Sequence, residues 1–136
     1  MSDMVSELPG DLVFDPAGLI PVIAQQHDSG EVLMLAWMNR EALTETLRTG
    51  RACYWSRSRR QLWRKGERSG QVQRVVELRL DCDLDAILLR VDQTGVACHT
   101  GRRSCFFNRI ADGGRIEAID PVIADPSQLY PGKAPD

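Results

Sequence analysis

The stretch Asp81-Cys82-Asp83-Leu84-Asp85 sets three carboxylates around a thiol, and two more cysteines follow at Cys98 and Cys105, with fifteen and then six residues between successive cysteines. Thiolates suit zinc, a borderline-soft ion, whereas carboxylate oxygens suit magnesium or calcium, so donor chemistry sorts the six side chains into a sulfur set and an oxygen set. On an extended strand Asp81, Asp83 and Asp85 would point one way and Cys82 the other, which predicts the same division from geometry. An EF-hand calcium loop needs glycine at its sixth position and glutamate at its twelfth. Those places hold Ala86 and Asp92, so that reading is set aside.

Three cysteines are one ligand short of a closed structural zinc site, and an open fourth position is what catalytic zinc requires. His99 could instead close a structural site of three cysteines and one histidine, although side chains adjacent in sequence reach one tetrahedral ion awkwardly and C-x-x-C spacing is missing. Three thiolates also leave zinc with net negative charge, so its water is acidified less than on zinc held by neutral histidines. A nearby base then becomes useful, and His99 is the candidate catalytic base. One zinc could take Cys82 and the Cys98/Cys105 pair from a single chain or from two chains of a dimer; the spacing satisfies both.

Residues 51–74 hold eight basic side chains and one acid, Glu67, against nine basic and eighteen acidic side chains in the remainder. Within that block, Trp55, Ser56, Arg57, Arg59, Trp63, Arg64 and Lys65 are the candidate substrate-binding residues. Guanidinium groups bind phosphate bidentately, neighbouring glycines let backbone N–H groups approach it, and the two tryptophans could stack on a base. Interleaved basic and aromatic residues also suit single-stranded RNA. The overall charge of −2 is not the footprint of a nucleic-acid binder, so no nucleic-acid partner is expected.

These side chains need a scaffold, and the hydrophobic pattern predicts a mainly β one. Ile20 to Gln25 and Glu31 to Trp37 read as strands joined across His27-Asp28-Ser29-Gly30. Asn39 is an N-cap and Gly50 a left-handed stop for a helix over about 39–49, with Ala42, Leu43 and Leu47 on one face. Strands are predicted again at Cys53 to Trp55, Val72 to Leu80 and Ala86 to Val91, the first two separated by a loop rich in arginine and glycine. The fold class is therefore α+β, mainly β, a single β-rich domain with one clear helix.

A chain of 136 residues, 43% of them hydrophobic, can bury one ordinary core and not two. The expected layout is an irregular segment over 1–18, the domain over 19–117, and a tail over 118–136 whose four prolines predict an extended or partly disordered course. No apolar run approaches the ~20 residues of a membrane span and nothing N-terminal resembles a secretory signal, so no membrane partner and a cytoplasmic location are expected. In that compartment four cysteines are thiols or metal ligands and not disulfides.

The blocks Leu33 to Asn39, Tyr54 to Arg59, Leu62 to Glu67, Leu80 to Asp83, Ala97 to Gly101 and Ser104 to Phe106 resemble, in order, those of the phosphoribosyl-AMP cyclohydrolases of histidine biosynthesis. The resemblance spans about residues 20–107. It implies an intertwined homodimer, zinc on Cys82, Cys98 and Cys105, and magnesium on Asp81, Asp83 and Asp85. It also implies attack of zinc-activated water at C6 of the adenine, with His99 moving a proton and Arg57, Arg59, Arg64 and Lys65 holding the two terminal phosphates. The expected outcome is opening of the N1–C6 bond of 1-(5-phosphoribosyl)-AMP, giving the formimino aminoimidazole carboxamide ribonucleotide. A deaminase reading lacks the H-x-E and P-C-x-x-C signature. The family often has His or Asn where this chain has Gln71, and a fused pyrophosphohydrolase domain has no room here.

Overall fold

Apolar residues at alternate positions make Ile20, Val22 and Ala24 of β1 (Ile20–Gln26) buried on one face, and the same alternation buries Ile87, Leu89 and Val91 of β6 (Ile87–Gln93). The structure, a computed structural model, describes residues 8–130; residues 1–7 of the expected N-terminal segment and 131–136 of the tail lie outside it. β1 and β6 run parallel at the centre of a four-stranded sheet. β2 (Val32–Met38) flanks β1 and β5 (Gln73–Leu80) flanks β6, both antiparallel.

The inner face of the sheet is covered by helix α1 (Arg40–Thr49), which buries Ala42, Leu43, Thr46 and Leu47. Both helix ends follow the expected capping. The Asn39 side chain accepts the Ala42 N–H at 2.8 Å, and Gly50, at φ +74°, sends its N–H to the Thr46 carbonyl. Strand β3 (Cys53–Ser56) packs beside α1, and the Thr46 hydroxyl accepts the Cys53 N–H at 3.0 Å.

The predicted strands stand within a residue or two of their expected bounds, and three features differ. The arginine-rich loop contains a strand, β4 (Gln61–Arg64), paired antiparallel with β3. Its turn is unsignalled by glycine because Arg60 itself takes the left-handed conformation, φ +54°. A small hairpin of β7 (Asn108–Ile110) and β8 (Ile116–Ala118) follows the core. The tail is not simply extended: Pro126 stands at the start of a short helix, α2 (Pro126–Leu129), where its missing N–H costs nothing, and Asp125 caps it. Upstream of α2, Ile123 and Ala124 donate backbone N–H bonds to the Gly101 carbonyl, so the tail is fastened to the 98–101 turn.

Candidate active site and metal-binding residues

The Asp81 to Asp85 segment is a turn and not a strand, which corrects the expected alternation. Asp81 closes it by taking the N–H groups of Asp85 and Ala86 on one carboxylate oxygen, at 3.0 and 3.1 Å, while Leu84 adopts φ +63°. The turn gathers the three carboxylates more tightly than a strand would: one oxygen from each of Asp81, Asp83 and Asp85 lies within 4.8 Å of the others, all exposed. The crowding shows in their acidity. Its hydrogen-bonded neighbours Asp83 and then Asp81 push the Asp85 carboxyl up to about 6. Desolvation opposes ionisation of Asp81, but the Asp85 and Ala86 N–H groups and the neighbouring carboxyls outweigh it and hold that group below the usual range. Three acidic oxygens in this arrangement fit a hard divalent cation, which would relieve their mutual repulsion.

At the other end of β6, the chain forms a tight loop. Ala97 and Cys98 donate to the carbonyls of Arg103 and Arg102, and Gly101, at φ +87°, completes the Cys98-His99-Thr100-Gly101 turn. A side chain at 101 would stand 2.0 Å from the Ala124 carbonyl, so glycine is needed for space as well as conformation. Cys105 donates its N–H to Leu33 at 2.7 Å and lies beside Cys98. Although Cys105 is exposed as a residue, desolvation of its sulfur and then the adjacent Cys98 raise its thiol to about 12. Two sulfurs placed side by side are suited to a metal that would bind them as thiolates.

Cys82 is not with them. It sits exposed in the turn that enters β6, whereas Cys98 and Cys105 occupy the loop that leaves it, and seven residues of strand span about 20 Å. Among the described residues the aspartate trio is the one group of three potential ligands that a single chain assembles.

A cleft of about 770 Å³ opens beside the cysteine loop. It is lined by Trp55, Ser56, Arg57, Arg59 and Trp63 of the basic block, by Leu35 to Trp37 of β2, and by His99. The β3–β4 hairpin brings Trp55 and Trp63 to one wall. Arg57 stacks its guanidinium 4.5 Å from the Trp37 ring, and the Trp63 indole N–H is buried with no partner among the described residues. A donor so placed is available to a ligand.

Arg64 and Lys65, expected beside the other basic residues, do not line this cleft. Arg64 alternates to the opposite side of β4 and meets Glu45, while Lys65 is buried behind the Trp63 ring, 6.0 Å from its centre. Both line a second cavity of about 750 Å³ with Glu45, Arg48 and Arg51. Gln71 joins the site indirectly by accepting the Val96 N–H at 2.9 Å, a role that residue type alone did not indicate.

A family model described as phosphoribosyl-AMP cyclohydrolase matches residues 34–107, which include most of β2, the cleft, the aspartate turn and the cysteine loop. The chain is similar to the phosphoribosyl-AMP cyclohydrolase of Alkalilimnicola ehrlichii, 73% identical over 88% of this chain and 83% of that protein. It is likewise similar to that of Rhodospirillum rubrum, 70% identical over 86% and 82%, and that of Granulibacter bethesdensis, 63% identical over 86% and 91%. Aspartate turn, paired cysteines and tryptophan cleft all fall inside the aligned region, and the chain belongs to the phosphoribosyl-AMP cyclohydrolase family.

Proposed function

We propose that the chain hydrolyses 1-(5-phosphoribosyl)-AMP, breaking the N1–C6 bond of its adenine to give the formimino aminoimidazole carboxamide ribonucleotide of histidine biosynthesis. One observation supports this reading most directly: a cleft with three tryptophans and two arginines reaches His99, whose neighbour Cys98 lies beside Cys105.

Trp55 and Trp63 bind the purine by stacking, and the buried Trp63 N–H donates to a polar edge of the ligand. Arg57 and Arg59, with Ser56, bind one terminal phosphate. Arg64 is held by Glu45, so it acts on a phosphate through the shape of β4 and not by direct contact. His99, exposed at the mouth of the cleft, accepts a proton from the attacking water and returns it to the departing ring nitrogen. Zinc on the thiolates supplies Lewis acidity and a more acidic water.

The sulfur set of Cys82, Cys98 and Cys105 is completed by a second copy of the chain. A single chain places two sulfurs at one end of β6 and one at the other, so a homodimer that aligns opposite ends unites all three. Asp81, Asp83 and Asp85 bind magnesium beside that junction and offset the substrate's phosphate charge. Among the described residues no helix is long and apolar enough to cross a membrane.

The test is an absorbance assay on synthetic phosphoribosyl-AMP, with zinc and magnesium, repeated after a strong chelator and after zinc is restored. Ring opening that is lost and then returns supports the reading. Metal-replete protein without turnover overturns it, and ammonia release in place of ring opening indicates a deaminase.

A further inference from the structure

A chain of buried amides crosses the sheet and ends at the cysteine loop. Tyr54, fully buried on β3, donates its hydroxyl to Gln73 Oε1 on β5. Gln73 donates through Nε2 to Gln93 Oε1 on β6 at 2.9 Å. Gln93 Nε2 in turn donates to the loop carbonyls of Thr94 at 2.8 Å and Val96 at 3.3 Å, and to the Gln71 carbonyl ahead of β5 at 3.1 Å. Gln73 and Gln93 are 0% and 5% exposed, so every one of these bonds replaces water that the interior cannot supply.

Arg103 closes the loop from its far side. Its Nη1 donates to the carbonyls of Gly95 at 2.6 Å and Gln93 at 3.1 Å, and its Nη2 donates to Gln26 Oε1 at 2.9 Å. The same Gln26 oxygen accepts the Gln93 backbone N–H at 2.9 Å. One planar guanidinium thus pins both arms of the loop to the ends of β1 and β6. At the other end of the amide chain, the Tyr54 ring lies 5.4 Å from Trp63, which lines the cleft.

We infer that Gln73, Gln93 and Arg103 are positioning residues: they fix the loop carrying Cys98, His99 and Cys105 in register with the tryptophan wall of the cleft. Interior glutamines are costly to bury, and an apolar core would serve stability equally well. Here both ends of the chain terminate on site-bearing elements, which is what register requires. The metal and proton-transfer consequences rest on the function proposed above; the fastening of the loop does not.

The experiment compares wild type with Gln93→Met, near-isosteric but without the donors, and with Arg103→Lys and Arg103→Met, which act from the more exposed side. Four quantities are read on the zinc-loaded protein: zinc loss to excess chelator, kcat, KM, and amide exchange in residues 94–106 against α1. Gln93→Met and Arg103→Met lose zinc about tenfold faster and drop kcat about tenfold, with KM changed less than about threefold, because outer partners of a metal site act at that scale. Exchange rises in 94–106 and stays unchanged in α1, and Arg103→Lys falls between wild type and Arg103→Met. Wild-type zinc retention, kcat and exchange in both Gln93→Met and Arg103→Met would overturn the inference, as would exchange rising equally in α1. A wild type that retains no zinc, with the same local exchange pattern, overturns the metal reading while supporting the loop-fastening role.

Discussion

Glu45 of α1 receives the Arg64 guanidinium of β4 in a two-pronged pair, Nε to Oε2 and Nη2 to Oε1, each at 2.8 Å. The pair ties the helix to the hairpin that carries Trp63, and the bonded Arg64 holds the Glu45 carboxyl below its ordinary range. A lowered carboxylate pKa contributes stability that is present above the unfolded value and lost as pH falls through the folded one. Glu45→Gln is therefore expected to melt below wild type above about pH 5 and to converge with it as pH falls through the lowered Glu45 value. Thermal melts across that window check this. Arg64→Gln is also expected to raise KM less than Arg57→Gln, whose side chain faces the cleft.

The aspartate turn behaves in the opposite sense. The Asp85 carboxyl, raised to about 6 by Asp83 and Asp81, binds its proton more tightly folded than unfolded, so without a cation the contribution of Asp85 to stability is lost as pH rises from about 4 to 6. A divalent cation competes with that proton. Magnesium is expected to raise the melting temperature at pH 7.5 and to lose about tenfold in affinity by pH 5, one unit below the titration. Asp83→Asn is expected to abolish the magnesium shift and to raise the melting temperature of the magnesium-free protein near neutral pH. An unchanged magnesium response in Asp83→Asn would show that the ion binds elsewhere.

The helix and the five principal strands were legible because capping residues and hydrophobic period agree locally: Asn39 and Gly50 bound a run whose apolar face, Ala42, Leu43 and Leu47, joins the core. The strands expected to end at Leu80 and begin at Ala86 left the aspartates between them, yet extended alternation was applied to them, because the left-handed Leu84 that makes the turn is a residue type which rarely takes that conformation. β4 was hidden for a related reason, a tight turn at Arg60 with no glycine. Residue type grouped Trp55, Arg57 and Arg59 with Arg64 and Lys65; the fold brings the first three and His99 to one cleft and leaves the last two outside it. Strand alternation and a partner 19 residues upstream, Glu45, decide where those two side chains go. The roles of Gln73, Gln93 and Arg103 carry no local signal, since glutamine in a strand reads as a solvent-facing residue until the sheet order is known.

Cys53 separates burial from ligation. It is 1% exposed, and desolvation followed by the nearby Glu45 raises its thiol to about 12, so it is inert in the native protein. Cys53→Ala is expected to keep zinc and turnover and to cost about 1 kcal/mol of stability from the small void. Cys105→Ala is expected to lose both zinc and turnover. Metal content by emission spectroscopy, together with the assay, distinguishes them; equal loss in both variants would make the assigned sulfur set wrong.

The separation of Cys82 from Cys98 and Cys105 along β6 makes a quantitative prediction about assembly. Cys82→Ala and Cys105→Ala are each expected to be inactive as homodimers, since every site lacks a sulfur. When the two are unfolded together and refolded at equal concentration, about half the dimers are mixed. In a mixed dimer the Cys105→Ala chain still supplies Cys82 to its partner's intact Cys98 and Cys105, so one of its two sites is whole. Turnover and bound zinc are then expected to recover to about a quarter of wild type, and a titration with excess Cys82→Ala should raise turnover per Cys105→Ala chain toward the value of one wild-type site. Sites built within one chain would give no recovery at any ratio, because no chain in the mixture carries all three cysteines.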